Sequence, residues 1–400
     1  MDMDKLRLAV LYGSRACEHD VSIISGLQAA EAAEKAGYQV ERVYIDRQGR
    51  WQMGPALKDM GFYQAYDPAK VTRVLPLGEG EKLVLIKYPT SKRSLLAPGR
   101  HVAAVCDVAM PVLHGMNGED GSLQGLLEML DVPYTSAGVM GSAVGMDKIA
   151  MKLLFQGCGF PVLPGEWVDR DDWARDGQQV VERMEAHLSY PMYVKPANLG
   201  SSIGISRADD REGLCHALDV AAAYDRRILV EKGISDPKEV NCAVLGYAGQ
   251  VRASILEMPM HWDKLLSFDD KYLRQSKGGK AGMASLARQI PAPIADALTQ
   301  RIQELSCQVF RALDLKGVVR IDYILDGDTL YVNEVNTIPG SLAFYLWEPV
   351  GISFSSMIDI MVEDALKAHA DEHKSVFSFD STILQAQVRG AKGGTKGVKG

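Results

Sequence analysis

Four polar side chains in the last quarter of the sequence have the types and spacing of a metal and phosphate site. Arg320 and Asp322 alternate along one predicted strand, and Glu334 and Asn336 alternate along the next. Residues two apart in a strand share a face, so each pair projects to one side of the sheet. Two carboxylates and a carboxamide supply only oxygen ligands, which suit Mg²⁺ bound to nucleotide phosphates, and an arginine beside them can meet a phosphate or a developing oxyanion. Taken alone, the Arg-x-Asp pair would favour ordinary cross-strand salt bridges on a solvated surface.

A second group of residues resembles a nucleotide pocket. Lys195 leaves a predicted buried strand and is followed by a small-residue loop, 198–204, whose backbone N–H groups can lie over phosphates. A single loop of this kind is more often a plain turn. With Glu231 and Glu239 downstream, however, the pattern predicts a site where Lys195 binds phosphate, Glu231 the adenine amino group and Glu239 the ribose hydroxyls.

The composition argues against several classes of protein. The 400 residues are 47% hydrophobic, enough for two or three domains, and their formal net charge of −7 is unlike the basic surface of a nucleic-acid binder. No apolar run approaches the ~20 residues that span a bilayer, and the first residues lack the pattern of a signal peptide. Six widely spaced cysteines favour reduced thiols. We therefore expect a cytoplasmic globular protein that binds neither nucleic acid nor membranes.

The elements that must position these residues fall into three successive units. The first opens with a β-loop-α-β pattern, which is typical of an open parallel sheet with a ligand at the carboxyl ends of its strands. Its predicted elements are the strands 6–12, 38–45 and 105–113 and the helices 21–36 and 123–130. The stretch 54–100 carries little periodic signal.

The other two units alternate strands and helices around the candidate site. The second has a helix at 146–156, a strand at 192–196, a helix at 210–223 and a strand at 227–232. The third has strands at 239–246, 250–257, 317–325 and 329–335 and helices at 293–313 and 353–368.

Two segments outside these elements have a distinct composition. The polar residues 259–289 lack periodicity, which predicts an active-site lid or a disordered segment. The low-complexity end, Gly390–Gly400, predicts a flexible tail. We predict domain boundaries that give a first domain 1–145, a central lobe 146–237, a C-terminal lobe 238–372 and a tail 373–400.

Motifs spread along the chain resemble those of D-alanine–D-alanine ligases, a family that includes D-alanine–D-serine and D-alanine–D-lactate ligases. In order, they are His114-Gly-Met-Asn-Gly-Glu-Asp-Gly121-Ser-Leu-Gln-Gly, Gly145-Met-Asp-Lys148, Val194-Lys-Pro, Gly200-Ser-Ser-Ile-Gly, Arg320-Ile-Asp and Glu334-Val-Asn-Thr-Ile-Pro-Gly340. The likeness extends from about residue 5 to 368. It implies the ATP-grasp fold, of mixed α/β and α+β class, in which a Rossmann-like N-terminal domain precedes two α+β lobes that hold ATP. It also implies a homodimer.

The resemblance implies a role for each matching residue. For the amino-acid substrates, Glu18 would bind the ammonium of the first D-amino acid, and His114 would sit near that substrate and the acceptor's amine. Glu18, Ser201 and Tyr272 would hold the active-site loop closed. For ATP, the residues implied are Lys148 and Lys195 at the phosphates, Lys271 at the γ-phosphoryl group, and Lys232 and Ile234 in the adenine pocket beside Glu231 and Glu239. Asp322, Glu334 and Asn336 would bind two Mg²⁺, with Mn²⁺ as a substitute, and Arg320 with the backbone N–H of Gly340 would form the oxyanion hole.

These roles describe one reaction, the ATP-dependent joining of two D-alanines for the peptidoglycan of the cell wall. ATP phosphorylates the first carboxylate to an acyl phosphate, and metal ions and lysines offset the charge of the transferred group. The second amine attacks, the oxyanion hole stabilises the tetrahedral intermediate, and a closed lid excludes water.

The segment Ser341–Pro349 departs most from the family. Typical members have a hydroxyl-rich segment here that meets the acceptor's carboxylate, and an ungapped count puts Tyr345 at that position. We expect Tyr345 to bind the carboxylate, and Tyr272 to indicate an amine acceptor. Two alternatives stay open: a ligase for another acceptor such as D-serine, and a nucleotide-binding protein without turnover.

Two further patterns are interpreted as coincidental. His369, Glu372 and His373 match the H-x-x-E-H pattern of zinc proteases, but they fall at the end of the last helix, where the sequence offers no further ligand. Cys17 adjoins Glu18, yet little near it would activate a thiol. We predict neither a zinc protease nor a reactive cysteine.

Overall fold

Three β-sheets, one in each predicted unit, form the framework of the part of the chain that the structure describes. The computed structural model describes residues 6–88, 102–260 and 288–376. The predicted lid and tail lie largely outside these ranges. Within them, we find no helix whose length and apolarity would let it span a lipid bilayer.

The first sheet combines a parallel half with an antiparallel half. Its strands are β1 (Arg7–Gly13), β2 (Gln39–Ile45), β3 (Trp51–Met53), β4 (Thr72–Gly78), β5 (Leu83–Lys87), β6 (Val102–Cys106) and β7 (Val108–Pro111), in the order β6-β5-β4-β3-β2-β1-β7. Only β2, β1 and β7 are parallel. The accompanying helices are α1 (His19–Lys35), α2 (Met60–Gln64), α3 (Ser122–Met129) and α4 (Val139–Met146).

The antiparallel half was not predicted, and the predicted strand 105–113 is confirmed only for its buried part, β7, because the chain is interrupted at Asp107. The weak signal of 54–100 has a physical cause, because β3 is only three residues long and most of β4 is exposed. The strand prediction failed at Asp107, which separates β6 from β7. Its carboxylate accepts the Arg7 N–H at 2.8 Å and pairs with Lys82 at 2.7 Å. The chain therefore passes at Asp107 from one edge strand of the sheet to the other.

The second sheet is antiparallel throughout. It consists of β8 (Gly165–Asp169), β9 (Met192–Pro196), β10 (Ser206–Ala208) and β11 (Arg227–Lys232), in the order β10-β9-β11-β8. Its helices are α5 (Lys148–Gly157), α6 (Arg170–Arg175), α7 (Gly177–His187) and α8 (Arg211–Tyr224). Helix α5 begins two residues later than predicted because the Asp147 side chain caps it, accepting the N–H groups of Ile149 and Ala150.

The third sheet carries the predicted Arg320–Asp322 strand near its edge. It consists of β12 (Lys238–Tyr247), β13 (Gln250–Pro259), β14 (Arg288–Gln289), β15 (Gly317–Asp326) and β16 (Thr329–Asn336), in the order β14-β13-β12-β15-β16. Its helices are α9 (Asp296–Ala312) and α10 (Phe354–Glu372), and short 3₁₀ turns cover Pro55–Lys58, Pro68–Lys70, Gly340–Leu346 and Glu348–Val350.

The first and third units share one apolar core. Buried side chains of α1 and β1 pack with α10, with the 3₁₀ turn Gly340–Leu346 and with the fully buried Trp347 that follows this turn. The second unit has its own core between its sheet and the helices α7 and α8. The shared core fixes the first unit against the third, while the predicted domain boundaries remain predictions.

Candidate active site

An open cleft of about 900 Å³ lies between the second and third sheets. It contains most of the residues that were predicted to bind ATP or metal. These are Lys148, Lys195, Glu231, Lys232, Ile234, Glu239, Arg320, Asp322 and Glu334. Lys271 and Tyr272 lie outside the described residues. The roles assigned to all these residues stay predictions, but the convergence itself is observed.

Strand register brings the four predicted metal and oxyanion residues together. In the antiparallel pair β15–β16, Asp322 lies opposite Glu334 and Arg320 lies opposite Asn336. Arg320 makes a bidentate contact with Asp322 through bonds of 2.6 and 2.7 Å. The Asn336 amide donates to the same carboxylate at 3.0 Å. The predicted shared face is therefore confirmed.

A cluster of lysines and carboxylates lines the cleft opposite this strand pair. Glu231 is buried, and Lys195 donates to it at 2.6 Å while Lys152 contacts its other oxygen at 2.7 Å. Burial raises the pKa of the Glu231 carboxyl, but the two lysines outweigh it and lower the pKa to about 2. The negative charge of Glu231 is thus balanced by two lysines, and the carboxylate holds Lys195 in place beside the cleft.

Lys148 connects the small-residue loop to the predicted metal site. As the first residue of α5 it donates through Nζ to the Leu199 carbonyl at 2.6 Å and lies 3.9 Å from Glu334. In the loop, Ser201 and Ser202 have positive φ angles of 55° and 60°, a conformation that favours small residues and exposes backbone N–H groups. The arrangement brings two lysines and a polar loop around one space, as phosphate binding requires.

Glu18 lies where the first unit meets this loop. It is buried, it precedes α1, and Ser201 lies near enough to favour its charged form. The loop-closing role of these two residues stays a prediction. A Cβ at Gly115 would approach a Glu18 oxygen to 2.3 Å, and one at Gly200 to 2.8 Å. Both glycines therefore leave room for this carboxylate. Burial is the main cause that raises the pKa of Glu18 above its usual value.

His114 forms hydrogen bonds that link α1 to the residues on either side of Gly340. Its Nδ1 is 2.7 Å from the Ile338 carbonyl and its Nε2 is 2.8 Å from the Ser25 hydroxyl, which also accepts the Ser341 N–H at 2.9 Å. Burial lowers the pKa of His114 to about 4, so the ring is neutral near pH 7. Because a carbonyl only accepts, the proton belongs on Nδ1, and Nε2 accepts from Ser25.

Glu119 also forms hydrogen bonds with the chain near His114 and near Gly340. Its two oxygens accept the N–H groups of Gly115 at 2.9 Å and Ile338 at 2.8 Å. Burial raises the pKa of Glu119 to about 7, although the two N–H donors act in the opposite direction. The side chain joins the loop after His114 to the loop that carries Gly340, and so aligns the predicted oxyanion hole.

Four contributors were missed from the sequence: Lys152, Asn333, Ser25 and Glu119. Lys152 and Ser25 could have been found from helical spacing, since each lies one or two turns beyond a predicted site residue, Lys148 and Glu18. Asn333 could not, because a bulge between β15 and β16 breaks the alternation and allows its side chain, 3.4 Å from Lys195, to line the cleft beside Glu334.

Tyr345 does not have the environment that was expected of it. It is buried, and its hydroxyl donates to Glu257 at 3.0 Å, while Arg288 pairs with Glu257 at 2.7 Å and lies over the Tyr345 ring at 4.2 Å. A phenol has one proton to donate. The expectation that Tyr345 donates to an acceptor's carboxylate is therefore wrong for this arrangement, since Glu257 already receives that proton.

The donor set fits a divalent cation. Asp322 and Glu334 face one another across the strand pair, and Asn336 adds an amide oxygen. Among the described residues that line the cleft there is no thiol or imidazole. All-oxygen sites of this kind select hard ions such as Mg²⁺. Cys17, whose pKa burial raises, is one of six free thiols and lies outside this donor set.

Comparisons with known proteins agree with this geometry. The family model described as D-ala D-ala ligase N-terminus matches residues 7–137, and the model of the C-terminus matches residues 154–363. A D-alanine–D-alanine ligase of Thermosipho africanus is 34% identical over 96% of this chain and 99% of its own length. The ligase of Thermoanaerobacter sp. is 37% identical over 92% and 99%.

Solved structures show the same fold. The D-alanine–D-alanine ligase of Coxiella burnetii superposes with a TM-score of 0.75 at 24% identity, over 97% of this chain and 99% of that one. The VanG D-Ala:D-Ser ligase of Enterococcus faecalis gives 0.73 at 26% identity, over 90% and 99%. The predicted ATP-grasp fold class is confirmed. The chain belongs to the D-alanine–D-alanine ligase family of ATP-dependent ligases.

Proposed function

We propose that this protein joins two D-alanines through an acyl-phosphate intermediate and so supplies a precursor of peptidoglycan. The observation that carries the proposal is the convergence of Arg320, Asp322 and Glu334 on one cleft with Lys148 and Lys195, while Asn336 hydrogen-bonds to Asp322. Family membership implies ATP and a divalent metal ion. We propose two Mg²⁺ ions, with Mn²⁺ as a substitute.

Charge complementarity supports the phosphoryl-transfer step. Asp322, Glu334 and Asn336 would hold the metal, which offsets phosphate charge when bound. Lys148 and Lys195 approach from the other wall and would orient the phosphates, as supported by their contacts with Leu199 and Glu231. Lys232, Ile234 and Glu239 line the same cleft, and adenosine would bind beside them.

The second step, attack of the acceptor amine, is assigned to the other end of the site. Arg320 and the N–H of Gly340 would stabilise the tetrahedral oxyanion. Glu18 would bind the ammonium of the first substrate. Neutral His114, whose Nε2 already accepts from Ser25, would position the Gly340 segment and lie near the acceptor's amine. Lys271 and Tyr272 keep their predicted roles in the lid.

One observation favours a second candidate acceptor. Because Tyr345 is bound to Glu257, the acceptor pocket differs from the hydroxyl-rich pocket of typical members, and D-serine is the alternative to D-alanine. One of the similar structures is titled a D-Ala:D-Ser ligase. We retain D-alanine as the principal acceptor, and homodimer formation and a cytoplasmic location as proposals.

The test is product analysis with ATP, Mg²⁺ and an equimolar mixture of D-alanine, D-serine and D-lactate. Dominant D-alanyl-D-alanine supports the proposal. Dominant D-alanyl-D-serine would show that D-serine is the principal acceptor. Failure to form any product or release phosphate from any pair would contradict ligase activity and support a nucleotide-binding protein without turnover.

A further inference from the structure

Two histidines on α10 converge on one carboxylate from the first unit. The Nε2 atoms of His369 and His373 lie 3.0 and 2.8 Å from the same oxygen of Asp131. The two rings are one helical turn apart, with centroids separated by 4.4 Å. The sequence offered no third ligand near these histidines. That expectation is wrong, because Asp131 lies beside them in the structure although it is 238 residues away along the chain.

The chemistry of this cluster is different from that of the ATP cleft. Two imidazoles and a carboxylate are a set that binds Zn²⁺ or a related transition-metal ion, whereas the cleft has oxygen donors only. All three candidate ligand atoms lie within 4.8 Å of one another. We propose that Asp131, His369 and His373 form a second, structural metal site for Zn²⁺ that joins α10 to the first unit.

The distances suit a tetrahedral ion. With bonds of about 2.0–2.2 Å, tetrahedral ligand atoms are roughly 3.3–3.5 Å apart. The observed nitrogen–oxygen separations of 3.0 and 2.8 Å need to open by only about half an ångström to admit the ion. The His369 side chain is 12% exposed, while His373 and Asp131 are more open at 38% and 55%. Solvent can thus supply the fourth ligand.

A second carboxylate lies where an outer partner of the ion would be expected. Glu81 is 3.7 Å from Nδ1 of His373, the ring nitrogen that points away from Asp131. When Nε2 binds a metal, the proton moves to Nδ1, and a carboxylate that accepts it orients the ring and strengthens the ligand. Glu81 therefore fits the second position of a carboxylate–histidine–metal arrangement.

Glu372 indicates why the site would be structural rather than hydrolytic. In the zinc-protease pattern this glutamate is the general base beside the metal-bound water. Here its carboxylate interacts with Lys316 and Glu128. Glu128 in turn accepts from Tyr134. The carboxylate is thus engaged in a separate polar network, so the site lacks the base that a hydrolase would need.

The experiment is titration of the tag-free full-length protein with Zn²⁺, and separately with Co²⁺, under excess Mg²⁺ to occupy the oxygen-only cleft. We expect one tightly bound Zn²⁺, tetrahedral Co²⁺ absorption without sulfur charge-transfer bands, and a higher Tm with Zn²⁺. His369→Ala, His373→Ala and Asp131→Asn should each lose this equivalent. Glu81→Gln should weaken it by about 10–100-fold. The matched control is His187→Ala, because His187 also pairs with a carboxylate, Glu166 at 3.0 Å, but in the second unit.

Two results would overturn the site. One is a wild-type protein that binds no Zn²⁺ under excess Mg²⁺, which would leave the cluster as a hydrogen-bonded clamp. The other is a bound equivalent that persists in Asp131→Asn and in both histidine variants, each verified as folded by circular dichroism. Asp131→Asn keeps a hydrogen-bond acceptor at this position. Loss of Zn²⁺ binding in this variant would therefore reflect loss of the carboxylate ligand rather than a change in the fold. Ligase activity does not enter this test, so it is independent of the proposed function.

Discussion

The strand pair β15–β16 and the 3₁₀ turn Gly340–Leu346 are neighbours in one site, but their geometry has different sources. In the strand pair, register and side-chain alternation bring Arg320, Asp322, Glu334 and Asn336 together. In the turn, residues 341–343 have φ angles of 51–52°, and the chain is held by Ser25 and by packing against α1 and α10. A left-handed conformation costs about 1–2 kcal/mol per residue, so distant contacts must maintain it.

The comparison predicts how the two regions respond to substitution. Changes in the strand pair should remove chemistry while the fold persists, because backbone hydrogen bonds hold the register. Changes around the turn should alter stability and substrate affinity more than the chemical step, because its shape depends on a few side-chain contacts.

The largest effect is expected for Glu334→Gln. The substitution removes a carboxylate charge from the predicted metal site but keeps the size of the side chain, so D-alanine-dependent ATP turnover should be abolished while the Tm stays close to wild type. Phosphate release across a Mg²⁺ titration measures it. Glu348→Gln, an exposed glutamate on the neighbouring turn, is the control. Near-normal activity of Glu334→Gln at limiting Mg²⁺ would remove Glu334 from the metal site.

Arg320 should give the next largest effect. Arg320→Ala would leave the buried Asp322 carboxylate without its bidentate partner, so its lost activity would mix with lost stability. Arg320→Lys keeps the charge but not the planar fork. We expect turnover of Arg320→Lys to fall on the order of 10²–10³-fold, as for loss of one oxyanion donor, with the KM for ATP little changed. Equal losses in turnover, KM and Tm would instead indicate a structural arginine.

Ser25 tests how far the 3₁₀ turn Gly340–Leu346 depends on contacts with distant residues. Ser25→Ala would leave the Ser341 N–H and His114 Nε2 without their shared partner. The free energy of unfolding should fall by about 1–3 kcal/mol, the cost of an unsatisfied buried polar group. Urea denaturation measures it. Ser355→Ala is the control, since that hydroxyl only donates to the Ala32 carbonyl at 3.1 Å. Unchanged stability together with unchanged acceptor KM would show that the hydrogen bonds of Ser25 with His114 and Ser341 do not support the turn.

The smallest effect is expected for Tyr345→Phe. Glu257 would keep Arg288 at 2.7 Å and Asn241 at 3.2 Å, so loss of the Tyr345 hydrogen bond alone should change kcat/KM for the acceptor by less than about tenfold. Steady-state kinetics with varied D-alanine measures it, with Tyr190→Phe as the control because the Tyr190 hydroxyl also donates to a carboxylate, that of Glu185, at 2.9 Å. A rise in acceptor KM on the order of 10²-fold or more would restore Tyr345 as a ligand of the substrate carboxylate.

The sequence by itself determined the strand-borne part of the site. Alternation placed Arg320 with Asp322 and Glu334 with Asn336 because it is a local property of an extended chain. The predicted strands 192–196 and 227–232 are confirmed to the residue, and they carry Lys195 and Glu231 into the cleft. The long motifs identified the family for the same reason, since each is a continuous stretch of chain.

Only the tertiary structure decided which distant residues complete each cluster. The pairings of Glu231 with Lys152, of Tyr345 with Glu257, and of His114 with Ser25 join segments that are 79, 88 and 89 residues apart in the sequence. Such contacts depend on how helices and sheets pack, and packing leaves no period in the sequence. Asp131 illustrates the limit most clearly, because no local pattern relates it to His369 and His373, whereas the shared core that packs α10 against the first unit brings all three within hydrogen-bonding distance.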